Sequence, residues 1–283
     1  MKVIEYSDVE SFLERTRQFM ESDQALYGMA LGTSERLLQG HRFGDQDPWF
    51  AVVEEGPWLR AIVLQTPPRP MILVTVELEA ITPLIQRMRD SGREIDGVIG
   101  PAESVPFFTG RWSHIHGIEQ HVNMHMHLFC LDKVIAPTET PEGELVCASI
   151  GNVDWLDSWT DGFITDCRMP PIAPGTPNPA KDLIAQGKFF VWQDETGPKA
   201  MAAFNRETSD SYSISWVYTP QEFRGKGYAS ALVAALSQHA LDSGKKFTSL
   251  HTDVSNPTSN KIYQKLGYRH YCDMQHVKFG AEK

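Results

Sequence analysis

The chain reads Arg224-Gly225-Lys226-Gly227-Tyr228-Ala229-Ser230 between a strand-like run, Ser215-Trp216-Val217-Tyr218, and a run with helical periodicity. The apolar residues of the helical run share one face: Ala229, Leu232, Val233, Leu236 and Ala240. A helix that starts after such a loop offers unpaired backbone N–H groups and a partial positive charge. The two glycines let an anion approach the backbone without a Cβ in the way, and the arginine and lysine add charge. The segment therefore predicts a binding site for a diphosphate.

Other phosphate-binding loops fit this segment less well. A Walker loop has a Lys-Ser/Thr pair after its last glycine, whereas Gly227 is followed by Tyr228 and Ala229. A dinucleotide fingerprint needs a third small residue, an acid about twenty residues later and a place in the first βαβ unit. The segment supplies two glycines and lies late in the chain, so neither alternative is favoured.

A second motif follows the loop at the next strand and helix. The run from Phe247 to Val254 predicts a strand, and Asn256-Pro257 has the cap and first-turn residues that start a helix. This helix is expected to end at Leu266 before Gly267, and Tyr268 opens a final strand.

The two motifs together make the chain from about Glu144 onward resemble the GNAT (Gcn5-related) N-acetyltransferases. The family's pyrophosphate loop, Gln/Arg-x-x-Gly-x-Gly/Ala, is matched by Arg224, Gly227 and Ala229. Its later motif is an Asn, a Tyr seven residues on, and Leu-Gly-Phe/Tyr. This motif is matched by Asn256, Tyr263 and Leu266-Gly267-Tyr268.

The resemblance implies an α/β fold of two tandem GNAT-like domains, each a mixed twisted sheet flanked by helices. Residues 1–135 would form a degenerate GNAT-like domain, because Glu77 to Pro83 has no glycine loop. Residues 136–143, a polar run with two prolines, would be the linker, and residues 144–283 the catalytic domain. The two halves also share an order of predicted elements, which indicates a duplicated fold.

The resemblance also implies acetyl-CoA as the co-substrate and gives residues their roles. Val217, Tyr218 and Thr219 would offer backbone groups to the pantetheine arm. The pyrophosphate would be held by Arg224, Gly225, Lys226, Gly227, Tyr228, Ala229 and Ser230. Asn256 would contact the coenzyme, and Tyr263 would lie near its sulfur.

Acetyl transfer to an amine requires two proton movements. A free alkyl amine has a pKa of ~10.4, so holding it neutral at pH ~7.4 costs about 4 kcal/mol and favours a general base. The leaving thiol has a pKa of ~8.5, and a phenol at ~10 is a plausible proton donor, which predicts a catalytic role for Tyr263. The base stays open: Ser211–Tyr218 contains no acid, Asp253 and Glu222 are the nearest candidates, and deprotonation through water fits equally well.

Three functions are compatible with these motifs. The first is an acetyl-CoA-dependent N-acetyltransferase that acts on a primary amine of a small molecule or amino acid. The second is a tRNA-dependent aminoacyl- or acyltransferase of tandem GNAT type, and the third is a non-catalytic acyl-CoA-binding regulator. The net charge of −10 counts against a nucleic-acid partner, and an intact Tyr263 counts against the regulator.

Composition places few other limits on function. Apolar residues make up 41% of the chain, which is typical of a globular protein, and no apolar stretch approaches the ~20 residues that span a bilayer. With no signal peptide evident at the N-terminus, a cytoplasmic protein is expected, with no membrane partner and a monomeric or homodimeric state. Four cysteines without a CxxC pair predict reduced thiols: Cys130, Cys147, Cys167 and Cys272.

Two further clusters have less specific meanings. Five histidines crowd one stretch, at His114, His116, His121, His125 and His127. The last two would share one face of a strand, but a zinc site usually needs a third or fourth ligand, so no metal is expected. Trp155, Trp159 and Phe163 recur at helical spacing and predict core packing, at the border of an acceptor cleft by resemblance. The proline-rich run 170–179 would shape acceptor specificity in the same region.

Overall fold

The computed structural model describes residues 1–151, 154–167, 169, 171–172 and 178–280. They divide into two compact units. The first comprises Met1–Leu128, Thr252–Asn256 and the chain from His270 onward; the second comprises Phe129–His251 and Pro257–Arg269. These units differ from the ranges 1–135 and 144–283, because two later pieces of the chain pack with the first unit. Strands that pair can be far apart in the chain, so the sequence of one strand does not predict which other strand it pairs with.

The first unit is built around one sheet in the order β1-β2-β3-β4-β5-β12-β6. Its elements are β1 Lys2–Tyr6, α1 Val9–Glu21, α2 Gly28–Leu38, β2 Trp49–Glu55, β3 Trp58–Gln65, β4 Met71–Thr75, α3 Ile81–Asp90, β5 Gly97–Pro101, α4 Val105–His116, β6 Gln120–Leu131 and β12 Arg269–Phe279. The last residues of β6 and the first of β12 belong to the second unit, whereas Thr252 and Asp253, at the end of β11 (Phe247–Asp253), belong to the first.

The second unit has the sheet order β11-β10-β9-β8-β7. Its elements are β7 Glu144–Cys147, α5 Leu156–Asp166, α6 Pro179–Ala185, β8 Phe189–Asp194, β9 Gly197–Glu207, β10 Ser211–Tyr218, α7 Tyr228–Asp242, β11 Phe247–Asp253 and α8 Pro257–Lys265. Asn178 precedes Pro179, a pair that favours a helix start, and it caps α6: its side chain accepts from the N–H of Ala180 at 2.9 Å.

Both faces of each sheet are covered by helices. In the first unit, Ala51 and Val53 pack in a core with α3 and α4, while Phe50 and Val52 pack in another with α1 and α2. A strand with apolar side chains on both faces must bury both of them, and helices cover the sheet on each side. The second unit repeats this arrangement, with α7 and α8 on one face and α5 and α6 on the other.

The two units share a topology, which confirms the duplicated fold predicted from the order of elements. In the first, β2, β3 and β4 are antiparallel and α3 connects β4 to a parallel neighbour, β5. In the second, β8, β9 and β10 are antiparallel and α7 connects β10 to the parallel β11. Mixed α/β sheets flanked by helices are therefore confirmed in both units. Among the described residues, no helix has the length and apolarity needed to cross a bilayer.

Candidate active site

The glycine loop forms the entry to α7. Gly225 (φ 75°) and Gly227 (φ 84°) both have left-handed backbone conformations, which glycine adopts without steric cost. Gly227 is the N-cap of α7, no side chain caps the helix, and its first backbone bond is from Ala231 N to Gly227 O, at 3.0 Å. The N–H groups of residues 228–230 therefore face outward from an exposed loop. This is the arrangement that binds anions at helix N-termini.

The two cations of the loop lie in different settings. Arg224 makes two hydrogen bonds within the protein: its Nε donates to the carbonyl of Thr219 at 2.9 Å, and its Nη2 donates to the carboxylate of Asp166. It therefore braces the base of the loop. Lys226 is exposed, lies 5.8 Å from the ring of Phe223, and has no ion pair within the described part of the chain. Lys226 is therefore the less constrained of the two cations, and contact of either one with a ligand stays a prediction.

The strands beside the loop part from each other. β10 and β11 pair in parallel only through three residues, Ser211 to Ser213 against Phe247 to Ser249. Both strands continue beyond that ladder, β10 to Tyr218 and β11 to Asp253. Their unpaired backbone groups lie on the end of the sheet that leads into the glycine loop, and such groups bind a ligand that can hydrogen bond.

A β-bulge lies in the part of β10 that has separated from β11. Ser215 pairs with Ala203 and Tyr218 with Met201, so β10 has one extra residue over this interval. Trp216 has a left-handed conformation (φ 58°), which is uncommon for a bulky residue and is often found at functional sites. The alternation of faces shifts at the bulge: Ile214 packs on the α7 face, whereas Trp216, two residues later, packs on the other.

Three buried polar side-chain atoms lie near the point where β10 and β11 separate: one on β10, one on the residue after β10, and one on β11. The Oγ of Ser215, the Oγ1 of Thr219 and the Nε2 of His251 have no hydrogen-bond partner among the described residues. A buried polar group without a partner costs about 1–3 kcal/mol, so a ligand that supplies partners would recover this energy. Sequence reasoning missed His251 and Ser215. Both residues lie beyond the segment in which β10 and β11 pair, and the sequence does not show where that pairing ends.

His251 is a neutral donor in this setting. The Nη2 of Arg206 lies 3.5 Å from its Nδ1 and 3.2 Å from the Oγ of Ser213. An arginine only donates, so Nδ1 accepts and the proton of the neutral ring is on Nε2. Burial, and then the charge of Arg206, lowers the pKa of His251 to about 3. The ring therefore offers an N–H at neutral pH and is not a general base.

Tyr263 lies on α8 and is 7% exposed. Its ring packs edge-on against Tyr268, with centroids 5.8 Å apart, and no hydrogen bond of its hydroxyl is found in the described structure. Burial raises the pKa of Tyr263 far above its usual value, and the charges of Tyr268 and Cys167 raise it further. The hydroxyl is therefore protonated at neutral pH and can donate a hydrogen bond, although it is a weaker acid than a free phenol.

The structure does not bring the other sequence candidates into one cluster. Asp253 and Asn256 belong to the first unit, where Asp253 accepts from Ser255 N at 2.7 Å and Asn256 N donates to Asp253 O at 3.0 Å. Glu222 is exposed on the short turn Gln221–Phe223. These contacts place neither Asp253 nor Glu222 as a base, and the coenzyme contact of Asn256 likewise stays a prediction.

The aromatic residues of α5 pack against the bulged strand. Phe163 stacks on Trp216 with ring centroids 5.0 Å apart, and Trp159 lies 6.4 Å from Tyr218. Both contacts belong to the core on that face of the sheet, which confirms the predicted packing. The proline-rich run 170–179 lies largely outside the described residues.

Comparison with known proteins is consistent with this geometry. Residues 154–268 match the model of the Acetyltransferase (GNAT) family. The N-acetyltransferase YycN of Bacillus subtilis, which is described as uncharacterized, is 42% identical over 53 residues, or 19% of this chain. The match spans only 33% of that protein's length.

Two solved structures share the fold over nearly the whole chain. A GCN5-related N-acetyltransferase from Sphaerobacter thermophilus superposes with a TM-score of 0.62 at 16% identity, over 99% of this chain and 98% of that one. A tandem GNAT protein from the clavulanic acid biosynthesis pathway superposes with a TM-score of 0.53 at 10% identity, over all of both chains. Residues 154–268 thus match the GNAT acetyltransferase family, and the chain as a whole shares its fold with a tandem GNAT protein.

Proposed function

We propose that the second unit transfers an acyl group, in the simplest case acetyl, from a coenzyme A thioester to a primary amine of a small molecule or amino acid. The observation that carries this proposal is the uncapped start of α7 behind two left-handed glycines, next to strands that part. The match to an acetyltransferase family supports the reaction class. The net charge of −10 supports an acceptor other than a nucleic acid.

Each part of the coenzyme has matching groups in this proposal. The backbone N–H groups of residues 228–230 and the side chain of Lys226 bind the diphosphate. The unpaired backbone groups of β10 on either side of Val217 bind the pantetheine arm. The buried polar atoms of Ser215, Thr219 and His251 gain partners from the bound substrates.

The reaction forms a C–N bond and breaks a C–S bond. The neutral amine attacks the thioester carbonyl, the amine gives up its proton, and the thiolate leaves. Tyr263 stabilises the leaving sulfur with a hydrogen bond from its protonated hydroxyl. No acid lies on β10, and His251 is a neutral donor, so we assign removal of the amine proton to water.

A binding measurement and an activity measurement test the proposal together. Titration calorimetry with CoA and acetyl-CoA measures donor binding. Thiol release on mixing acetyl-CoA with a panel of primary amines measures transfer. We expect saturable CoA binding and amine-dependent thiol release with at least one acceptor class. CoA binding without any thiol release would instead support a regulator, and no CoA binding would refute the donor assignment.

A further inference from the structure

We propose that His127, His270 and Asp273 form a binding site for a divalent transition-metal ion such as Zn²⁺. The Nδ1 of His127 and the Nε2 of His270 each lie 2.7 Å from the same oxygen, Oδ1 of Asp273. All three ligand atoms lie within 4.8 Å of one another, and the two imidazole rings are nearly perpendicular with centroids 5.0 Å apart. This site is separate from the proposed acyl-transfer function and does not depend on it.

The donor set fits a metal of intermediate softness. Two imidazole nitrogens and one carboxylate oxygen are ligands of zinc and its first-row neighbours, whereas Mg²⁺ and Ca²⁺ prefer oxygen alone. With bonds of ~2.0–2.1 Å and tetrahedral geometry, ligand atoms are about 3.3 Å apart, so each His–Asp distance must open by about 0.6 Å.

The exposure of the three side chains permits that movement. The side chains of His127, His270 and Asp273 are 26%, 46% and 55% exposed, so small rotations suffice to separate the ligand atoms. Because the side chains are exposed, water would occupy the fourth coordination position of the metal ion, and the ion could exchange readily with solvent.

The position of the site gives it a structural consequence. His127 lies on β6, and His270 and Asp273 lie near the start of β12; all three belong to the first unit. A bound ion would tie these two strands together where β12 enters the sheet of the first unit. Metal binding should therefore raise the thermal stability of that unit, because only the folded chain brings the three ligands together.

The test uses the full chain after treatment with a chelator. Titration calorimetry with Zn²⁺ alone should give one saturable site, and Zn²⁺ should raise the midpoint of thermal unfolding, with no competition from excess Mg²⁺. Asp273→Asn and His127→Ala should each raise the Kd for Zn²⁺ by at least about tenfold, since even outer-shell partners of a metal are worth about 10–100-fold in affinity.

A matched control is His114→Ala, which removes an exposed histidine on α4 of the same unit and should leave the Kd unchanged. Circular dichroism of each variant checks the fold, and His270→Ala replaces any variant that fails this check. The proposal is overturned if wild type shows no saturable Zn²⁺ binding, or if the ligand variants bind as tightly as the His114 control.

Discussion

Gly227→Ala tests the glycine loop most directly, because the added methyl group meets no steric clash with the protein. A Cβ built at Gly227 lies 3.6 Å from its nearest neighbour, the Cδ of Pro141, which is an ordinary contact. The folded-state penalty is therefore conformational. Holding a residue other than glycine in a left-handed conformation costs about 1–2 kcal/mol. The same methyl group would stand among the N–H groups that face the diphosphate.

The same helix contains a matched control at its other end. Gly244 follows α7, has a left-handed conformation (φ 95°), and has no atom within 4 Å of a built Cβ. Gly244→Ala should therefore lose a similar free energy of unfolding without touching the ligand. Anion contacts at a helix N-terminus are worth about 0.3–1 kcal/mol when exposed and up to ~2 kcal/mol when partly buried. We expect Gly227→Ala to raise the Kd for CoA about tenfold, a loss of about 1.4 kcal/mol.

Titration calorimetry and chemical denaturation of both variants separate affinity from stability. S-acetylpantetheine, which lacks the diphosphate, serves as a second acyl donor. The two variants should transfer its acetyl group at equal rates. The reasoning is refuted if Gly227→Ala weakens CoA binding no more than Gly244→Ala does.

Three further predictions follow from named contacts. Tyr263→Phe should lower kcat at least about tenfold with little change in CoA affinity or stability. The control Tyr268→Phe removes hydroxyl contacts of 2.8 Å to Ser237 and 2.9 Å to Thr248, so it should lower the free energy of unfolding by about 1–3 kcal/mol and leave kcat unchanged. If Tyr263→Phe has the same kcat as the wild type, Tyr263 has no part in the mechanism. Arg224→Ala should change stability by less than about 1 kcal/mol, because its ion pair with Asp166 is exposed, and a larger loss would contradict this estimate. Burial lowers the pKa of His251 from 6.5 to about 3, so the unfolded chain binds a proton that the folded chain does not, and stability should fall as the pH drops from about 6.5 towards 3. His251→Asn should flatten that dependence in a pH series of urea unfolding curves.

The sequence was most informative where a local rule sets the structure. Asn178 before Pro179 predicts the start of α6, and the Gly227 loop predicts the start of α7; both helices begin there. Caps and first turns depend on a few adjacent residues, so they can be read without tertiary information. β1 and α2 were not predicted, since their residues follow no clear period and are held by packing against the rest of the first unit.

The candidate site was predicted in part for the same reason. The loop and Tyr263 belong to continuous motifs, whereas the role of His251 depends on where β10 and β11 cease to pair. Arg224 shows the limit in another way: its ligand contact stays a prediction, and only the structure shows that its guanidinium also binds Thr219 and Asp166, a residue far away in the chain. The three proposed zinc ligands likewise come from distant positions, and the run of histidines indicated only one of them.

The sequence by itself determined the mixed α/β class, the duplicated order of elements and the glycine loop at the start of α7, because each follows from residues within a turn or two of one another. Only the tertiary structure decided that the last strand packs with the first unit, that β10 bulges at Trp216, and that His127 meets His270 and Asp273. These features arise from pairing between strands far apart in the chain. Such pairing is chosen by the burial and hydrogen bonding of the whole sheet, which no single segment encodes.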